Sequence, residues 1–242
     1  LWDVHSALRW GTLPSQLEMD TQDKSRYLKS YANTYLKEEV VAEQLIRNLV
    51  PFRSFLEVAA QSAGKIINYS KIARDVNVES PTVQSYFDIL EETYIGFRLL
   101  PFHESIRKRQ TQHPKFYFFD TGVFQTIRPR GVLDSESEIN GATVETLIFT
   151  QLKAMNELLE LGYQINYWHT KKHIEVDFVL YGKKDLIAIE VKAGSKAQAK
   201  DLDGLLEFKK DYPASKLYFI YAGRSKKIGD IQYLNIEDFL LQ

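Results

Sequence analysis

Apolar residues recur at helical spacing through the first part of this chain and alternate with polar ones in several later segments, which predicts helices first and a sheet afterwards. Tyr27, Leu28, Tyr31, Tyr35 and Leu36 form one helical stripe, and Phe52, Phe55, Leu56 and Ala59 form another beyond Pro51. Gly11-Thr-Leu-Pro14 and the neighbourhood of Pro51 are the breaks. Asn68 to Val76 and Pro81 to Glu92 read as two short helices joined by Asn77-Val-Glu-Ser80, a helix-turn-helix pattern with Ser70 capping the first and Ser80-Pro81 opening the second. Val83, Phe87 and Leu90 would be core, leaving Gln84, Ser85 and Asp88 outward. Ile95 to Pro101 and Phe116 to Phe119 read as strands that flank a basic segment, His103 to Lys115, in the layout of a wing.

Arg128-Pro-Arg-Gly131 and the polar stretch Asp134 to Glu138 read as a linker or surface loop. A helix follows from about Ile139 to Leu161, its stripe made of Val144, Leu147, Ile148, Leu152, Met155, Leu158 and Leu159 with Glu145 at the margin. A strand from Tyr163 to Trp168, a hairpin, a helix from Ala199 to Asp211 and a strand from Lys216 to Tyr221 give the order αβββαβ. The hairpin joins Ile174-Glu-Val-Asp-Phe-Val-Leu180 to Leu186-Ile-Ala-Ile-Glu-Val-Lys192 through Gly182-Lys-Lys-Asp185. Centring the turn on Lys183-Lys184 sets Asp177 opposite Glu190, Glu175 opposite Lys192 and Phe178 opposite Ile189. One face is then apolar and the other gathers the charges.

The chain has 242 residues, 44% hydrophobic and 26% charged, enough for two modest domains. A net charge of -1 rules out a uniformly basic nucleic-acid coat, so phosphate binding would need local clusters. Arg107, Lys108, Arg109 and Lys115 form one such cluster, and Lys171 and Lys172 beside the acidic hairpin form another. Asp75, Glu79, Asp88, Glu91 and Glu92 work against DNA binding by the helix pair. With no cysteine there are no disulfides or thiolate sites. The five histidines lack zinc spacing, and Ala63-Gly-Lys-Ile66 lacks the residues of a phosphate loop. No apolar run spans a membrane, and a cytoplasmic protein is the simplest reading. A start at Leu1, already within a helical pattern, suggests a piece of something longer.

Two acids directly opposite each other repel, and a divalent cation would remove that penalty. Mg²⁺ prefers oxygen ligands and commonly uses only one or two carboxylates. Asp177 on one strand and Glu190-Val-Lys192 on the next resemble the PD-(D/E)XK phosphodiesterase superfamily in motif and element order. That resemblance implies Asp177 and Glu190 as metal ligands, Glu145 as the additional acidic residue and a further metal ligand, and Lys192 as the group that orients water or stabilises phosphate. The alternative is a solvated salt-bridge cluster of Glu175, Asp177, Glu190 and Lys192, and both readings stand at this point.

Tyr31-Ala-Asn-Thr-Tyr-Leu36, Asn68 to Leu90, Pro114-Lys-Phe-Tyr-Phe-Phe-Asp-Thr-Gly122, Gly141-Ala-Thr-Val-Glu145, Tyr167-Trp168, Glu175-Val-Asp-Phe178 and Ile189-Glu-Val-Lys192 together resemble the C-terminal region of prokaryotic AAA-type ATPases that carry a domain of unknown function. The resemblance implies an α+β or α/β chain: residues 1–25 as the end of the ATPase lid or its connector, 26–130 as a helical and winged-helix domain, and 131–242 as a restriction-endonuclease-like domain. It places ATP binding in an upstream module absent here. DNA is the expected partner and RNA the second, with Mg²⁺ as the expected ion. A protein-docking module with a degenerate nuclease fold is the rival expectation.

Overall fold

The computed structural model describes residues 3–35, 49–103, 113–132 and 134–241, which form a mixed α+β chain. The chain divides into two compact units, residues 1–98 with 115–134 and residues 99–114 with 135–242. Arg107, Lys108 and Arg109 of the expected wing lie outside the described residues.

The first unit is mainly helical. Helix α1 (Val4–Trp10) is opened by Asp3, whose carboxylate accepts from Ser6 N at 2.7 Å, and α2 (Thr21–Ser30) is opened by Asp20. Helix α3 (Leu49–Gln61) buries Phe52, Phe55, Leu56, Ala59 and Ala60 as its stripe predicts. The helix pair follows as α4 (Tyr69–Asp75) and α5 (Ser80–Glu92). Its caps differ from expectation. Asn68, not Ser70, accepts from Lys71 N at 2.9 Å, and Ser80 is already helical behind an N-cap Glu79 that makes no side-chain cap bond. Phe87 is the pivot of the core, edge-on to Phe55 at 4.9 Å and to Phe116 at 5.0 Å. Strands β1 (Gly96–Leu99) and β2 (Lys115–Phe118) form a two-stranded sheet, and α6 (Thr121–Ile127) follows.

Residues 1–25, expected as a connector, contribute α1 to this unit through Asp120-Thr-Gly122. Asp120 caps α6 by accepting from Val123 N at 2.9 Å while also accepting from Thr12 N at 2.7 Å; Thr121 donates to Ala7 O. Gly122 sits so close to Trp10 O that a Cβ there would lie 2.1 Å away.

The second unit is a sheet between helices. After α7 (Glu136–Leu158) come β3 (Gln164–His169), β4 (Glu175–Tyr181), β5 (Leu186–Lys192), a 3-10 turn (Ala199–Leu202), α8 (Asp203–Asp211), β6 (Lys216–Tyr221), β7 (Lys226–Ile228), β8 (Ile231–Asn235) and α9 (Ile236–Leu240). The sheet order is β3-β4-β5-β6-β8-β7, with β5, β6 and β8 parallel to one another and the other pairings antiparallel. Phe149 of α7 stacks on Phe178, whereas Leu205 and Phe208 of α8 pack with Val176, Val179 and Ala188. Phe178 and Val179 alternate, so the two helices cover opposite faces. The face that gathers the hairpin's charged residues is therefore packed against α8 along Val179 and Ala188. Residues 231–240 add a strand and helix beyond the expected αβββαβ order.

Residues 100–102 run beside β3: Tyr167 N donates to Leu100 O at 3.1 Å, Phe102 N donates to Tyr167 O, and Phe102 joins the unit's core. Among the described residues no helix is long and apolar enough to cross a membrane.

Candidate active site

The hairpin register is the expected one where it is formed: Phe178 faces Ile189, Val179 faces Ala188, Leu180 faces Ile187 and Tyr181 faces Leu186. Beyond Phe178 and Ile189 the two strands part. The start of β4 stays with β3, through Val176 opposite Trp168 and Glu175 opposite His169, while the end of β5 stays with β6 as far as Lys192 opposite Tyr221. The sheet forks there. On the β3 side Asp177 and Phe178 together stand opposite Tyr167, a bulge that shifts the register and re-aims the strand.

Asp177 stands at the fork, and Val191 N donates to its Oδ2 at 2.9 Å, so the carboxylate serves where the strand ladder has ended. Asp177 and Glu190 are each 7% exposed. Lys192 Nζ lies 2.7 Å from Glu190 Oε1, and Glu190 Oε2 is buried with no hydrogen-bond partner. Burial pushes the Glu190 carboxyl well above its usual range, and the charge of Asp177 adds to the push; Lys192 opposes it and Glu145 adds a little more. For Lys192 burial works against the charge, but Glu190, Asp177 and Glu145 outweigh it and hold the ammonium pKa above its ordinary value.

These groups line an open cleft of about 400 Å³ together with His173, Ile174, Glu175, Lys200, Asp201, Asp203 and Gly204. Gly204 is what lets the start of α8 approach β4, because a Cβ there would lie 1.9 Å from Glu175 O.

The structure thus brings together Asp177, Glu190 and Lys192 in one cleft, with Glu145 of α7 near enough for its charge to act on both Glu190 and Lys192. Among the described residues no group of three or more His, Asp or Glu side chains stands ready to hold one ion. Lys192 pairs with Glu190 rather than across the strands with Glu175. Lys171 and Lys172 are exposed on the β3–β4 turn and are not among the residues that line the cleft. Lys115 is 3% exposed in a strand whose four residues are all buried, which removes it from the surface cations. The outer face of α5 carries Asp88, which with Glu91 holds Arg98 in an ion-paired group. His173, Lys200 and Gly204 were missed as site residues; only the proximity of Lys200 and Gly204 to the start of a predicted helix pointed to them.

The fold and cleft define a mixed α+β protein of two units, one of them a sheet opened by a fork over buried carboxylates. Residues 1–134 match the family model described as Domain of unknown function (DUF8612), and residues 140–239 match Domain of unknown function (DUF4143). The first match covers more than half of the chain, which belongs to the DUF8612 family. The chain is similar to the uncharacterized proteins Mb2031c of Mycobacterium bovis and Rv2008c of Mycobacterium tuberculosis, each 27% identical over 173 residues, 70% of this chain and 38% of the relative. It therefore spans well under half the length of these curated relatives. The crystal structure of protein VC1899 from Vibrio cholerae aligns over 92% of this chain and 55% of its own at 11% identity and a TM-score of 0.30, too slight a likeness to define the fold.

Proposed function

We propose that this chain is the C-terminal part of an AAA-type ATPase, with a winged-helix module followed by a PD-(D/E)XK-like domain that hydrolyses phosphodiesters of DNA or RNA with Mg²⁺. The observation that carries the reading is the fork between β4 and β5, which sets two buried carboxylates and a lysine in one open cleft and leaves Glu190 Oε2 without a partner. A buried acceptor with nothing to accept from is costly, and a hard cation is the ligand that suits it. Two carboxylates fit Mg²⁺, which keeps several of its waters, better than they fit an ion that needs a full protein cage.

Glu190 Oε2, buried with no hydrogen-bond partner, is the oxygen offered to such an ion, and the Asp177 carboxylate is its second ligand; Asp177 Oδ2 accepts from Val191 N and Glu190 Oε1 from Lys192. A bound divalent cation supplies a water of lowered pKa and offsets charge on the attacked phosphate. Lys192 keeps its proton throughout and places positive charge where the phosphate oxygens become more negative. Glu145 adds negative charge that favours both the cation and the protonated lysine.

The test is thermal unfolding with and without Mg²⁺ or Mn²⁺, followed by cleavage assays on single- and double-stranded substrates. Metal at about a hundred times its dissociation constant should stabilise the protein by about 2.7 kcal/mol. Asp177→Asn should abolish both the stabilisation and the cleavage. Absence of both in the parent would sink catalysis and favour a second reading, a protein- or DNA-docking module in which Lys192 and Glu190 form a structural pair at 2.7 Å. In that case Lys192→Ala should destabilise, by leaving the acids uncompensated.

A further inference from the structure

Besides its acids the cleft is lined by His173, Ile174 and Lys200. His173 closes the five-residue β3–β4 turn with a φ of +59°, and the turn is pinned on Thr170: Thr170 N donates to Ile174 O at 2.9 Å, His173 N donates to Thr170 O at 3.1 Å, and Thr170 Oγ1 accepts from Ile174 N at 3.3 Å. The tied turn fixes the backbone from which the His173 ring projects, and His173 and Ile174 both line the cleft. Lys200, in the 3-10 turn before α8, lines the same cleft and has no ion-pair partner among the described residues. The imidazole is an aromatic face of the kind on which splayed bases stack, and an ammonium lining the same cleft is a phosphate contact.

The cleft's size and charge narrow the choice further. At about 400 Å³ it lies toward the lower end of the roughly 300–1,000 Å³ usual for ligand clefts, room for a unit the size of one nucleotide. Asp177 and Glu190 lie recessed at its floor. A duplex keeps its bases stacked inside, out of reach of the His173 ring, whereas a single strand can splay one onto it. Five carboxylates line the cleft against Lys192 and Lys200, so a polyanion is repelled until a divalent cation offsets the acids.

We infer that the cleft takes a single-stranded polynucleotide, with the His173 ring stacked on a base next to the scissile phosphate and Lys200 holding a neighbouring phosphate, and that entry requires the divalent cation. This rests on the phosphodiesterase reading and adds its substrate class. His173 and Lys200 act as positioning residues, and the affinity for strand, not the rate alone, is what they set.

The test measures the calcium-dependent part of binding by the whole chain to a labelled oligodeoxythymidine, the matching oligouridine and a duplex of equal length. Single strands should bind at least about tenfold more tightly than duplex, with binding lost on chelation; the thymidine and uridine arms decide between DNA and RNA. His173→Asn removes the ring but keeps a residue that tolerates positive φ. It should weaken single-strand binding roughly 5- to 100-fold, the range expected for one lost stacking contact. Lys200→Gln should lower the slope of log affinity against log salt by about 0.7, one phosphate contact on a single strand. Equal calcium-dependent affinity for duplex, no change in both variants, or no calcium-dependent binding of any strand would overturn the inference. If metal still stabilises the parent and fails to stabilise Asp177→Asn, the phosphodiesterase reading survives that loss; if metal stabilises neither, both fall.

Discussion

Gly204→Ala is the sharpest probe of the cleft, because the substitution adds one carbon at a place where the backbone leaves no room. The new Cβ would lie 1.9 Å from Glu175 O, 3.0 Å from the carbonyl carbon and 3.4 Å from Val176 Cγ2. Glu175 is paired to His169 in the sheet and cannot retreat, so α8 must move outward by roughly 1.5 Å to regain ordinary contact. That shift unpacks Leu205 and Phe208, both fully buried, the latter against Trp168 at 5.3 Å. Overpacking of this kind costs about 1–3 kcal/mol. Replacing glycine in a helix returns at most about 1 kcal/mol. The net expectation is a loss of about 1–2 kcal/mol in urea unfolding, with faster hydrogen exchange in α8 and weaker metal binding in the widened cleft. Gly141→Ala is the control of opposite sign. It lies inside α7 with nothing within 4 Å of the new methyl, so it should stabilise by about 0.5–1 kcal/mol. A Gly204→Ala protein as stable as the parent would refute the close approach of α8 to β4.

Glu190→Gln should change how stability depends on pH. Burial and Asp177 raise the folded-state pKa of Glu190 above its ordinary 4.5, so in chelator this carboxyl's contribution to stability is fully present below that pH and is lost as pH rises from 4.5 through the raised value. The glutamine variant should lack this slope, and parallel urea-midpoint profiles for the two proteins would contradict the assignment. Asp120→Ala should destabilise the helical unit by about 2–4 kcal/mol in urea unfolding, combining a lost cap of about 1 kcal/mol with donors on Thr12 and Val123 left unpaired at about 1–3 kcal/mol. An unchanged midpoint would mean water replaces the carboxylate without cost.

The hairpin register was legible because the apolar alternation of Phe178 and Leu180 against Ile187 and Ile189 admits one pairing, and a slip by one residue would turn every side chain over. What the pattern could not show is where that pairing stops. The fork depends on β3 and β6 each holding one arm, and the bulge at Asp177-Phe178 depends on Tyr167, residues far away in sequence. Hence the pattern gathers the charges on one face without showing that α8 packs over part of it. Strand β8 was readable from the alternation in Ile231-Gln-Tyr-Leu-Asn235 after Gly229, and was overlooked. The cap at Asn68 was hidden by a serine two residues on, which has the same capping chemistry. Lys115 was assigned to the surface by charge alone, whereas its neighbours Phe116, Tyr117 and Phe118 marked a strand buried on both faces.

Residues 100–102 have a consequence for how the sheet unit can be handled. An open sheet edge invites pairing with another chain. Here one edge is occupied by a strap along β3 that includes Pro101, which cannot donate a further ladder bond, and the other is β7, three exposed residues of which two are lysines. The strap comes from before β2, on the far side of the family boundary near residue 134. A fragment cut at that boundary would keep every strand of the sheet yet bare the β3 edge and remove Phe102 from its core, and it would meet its own copies edge to edge.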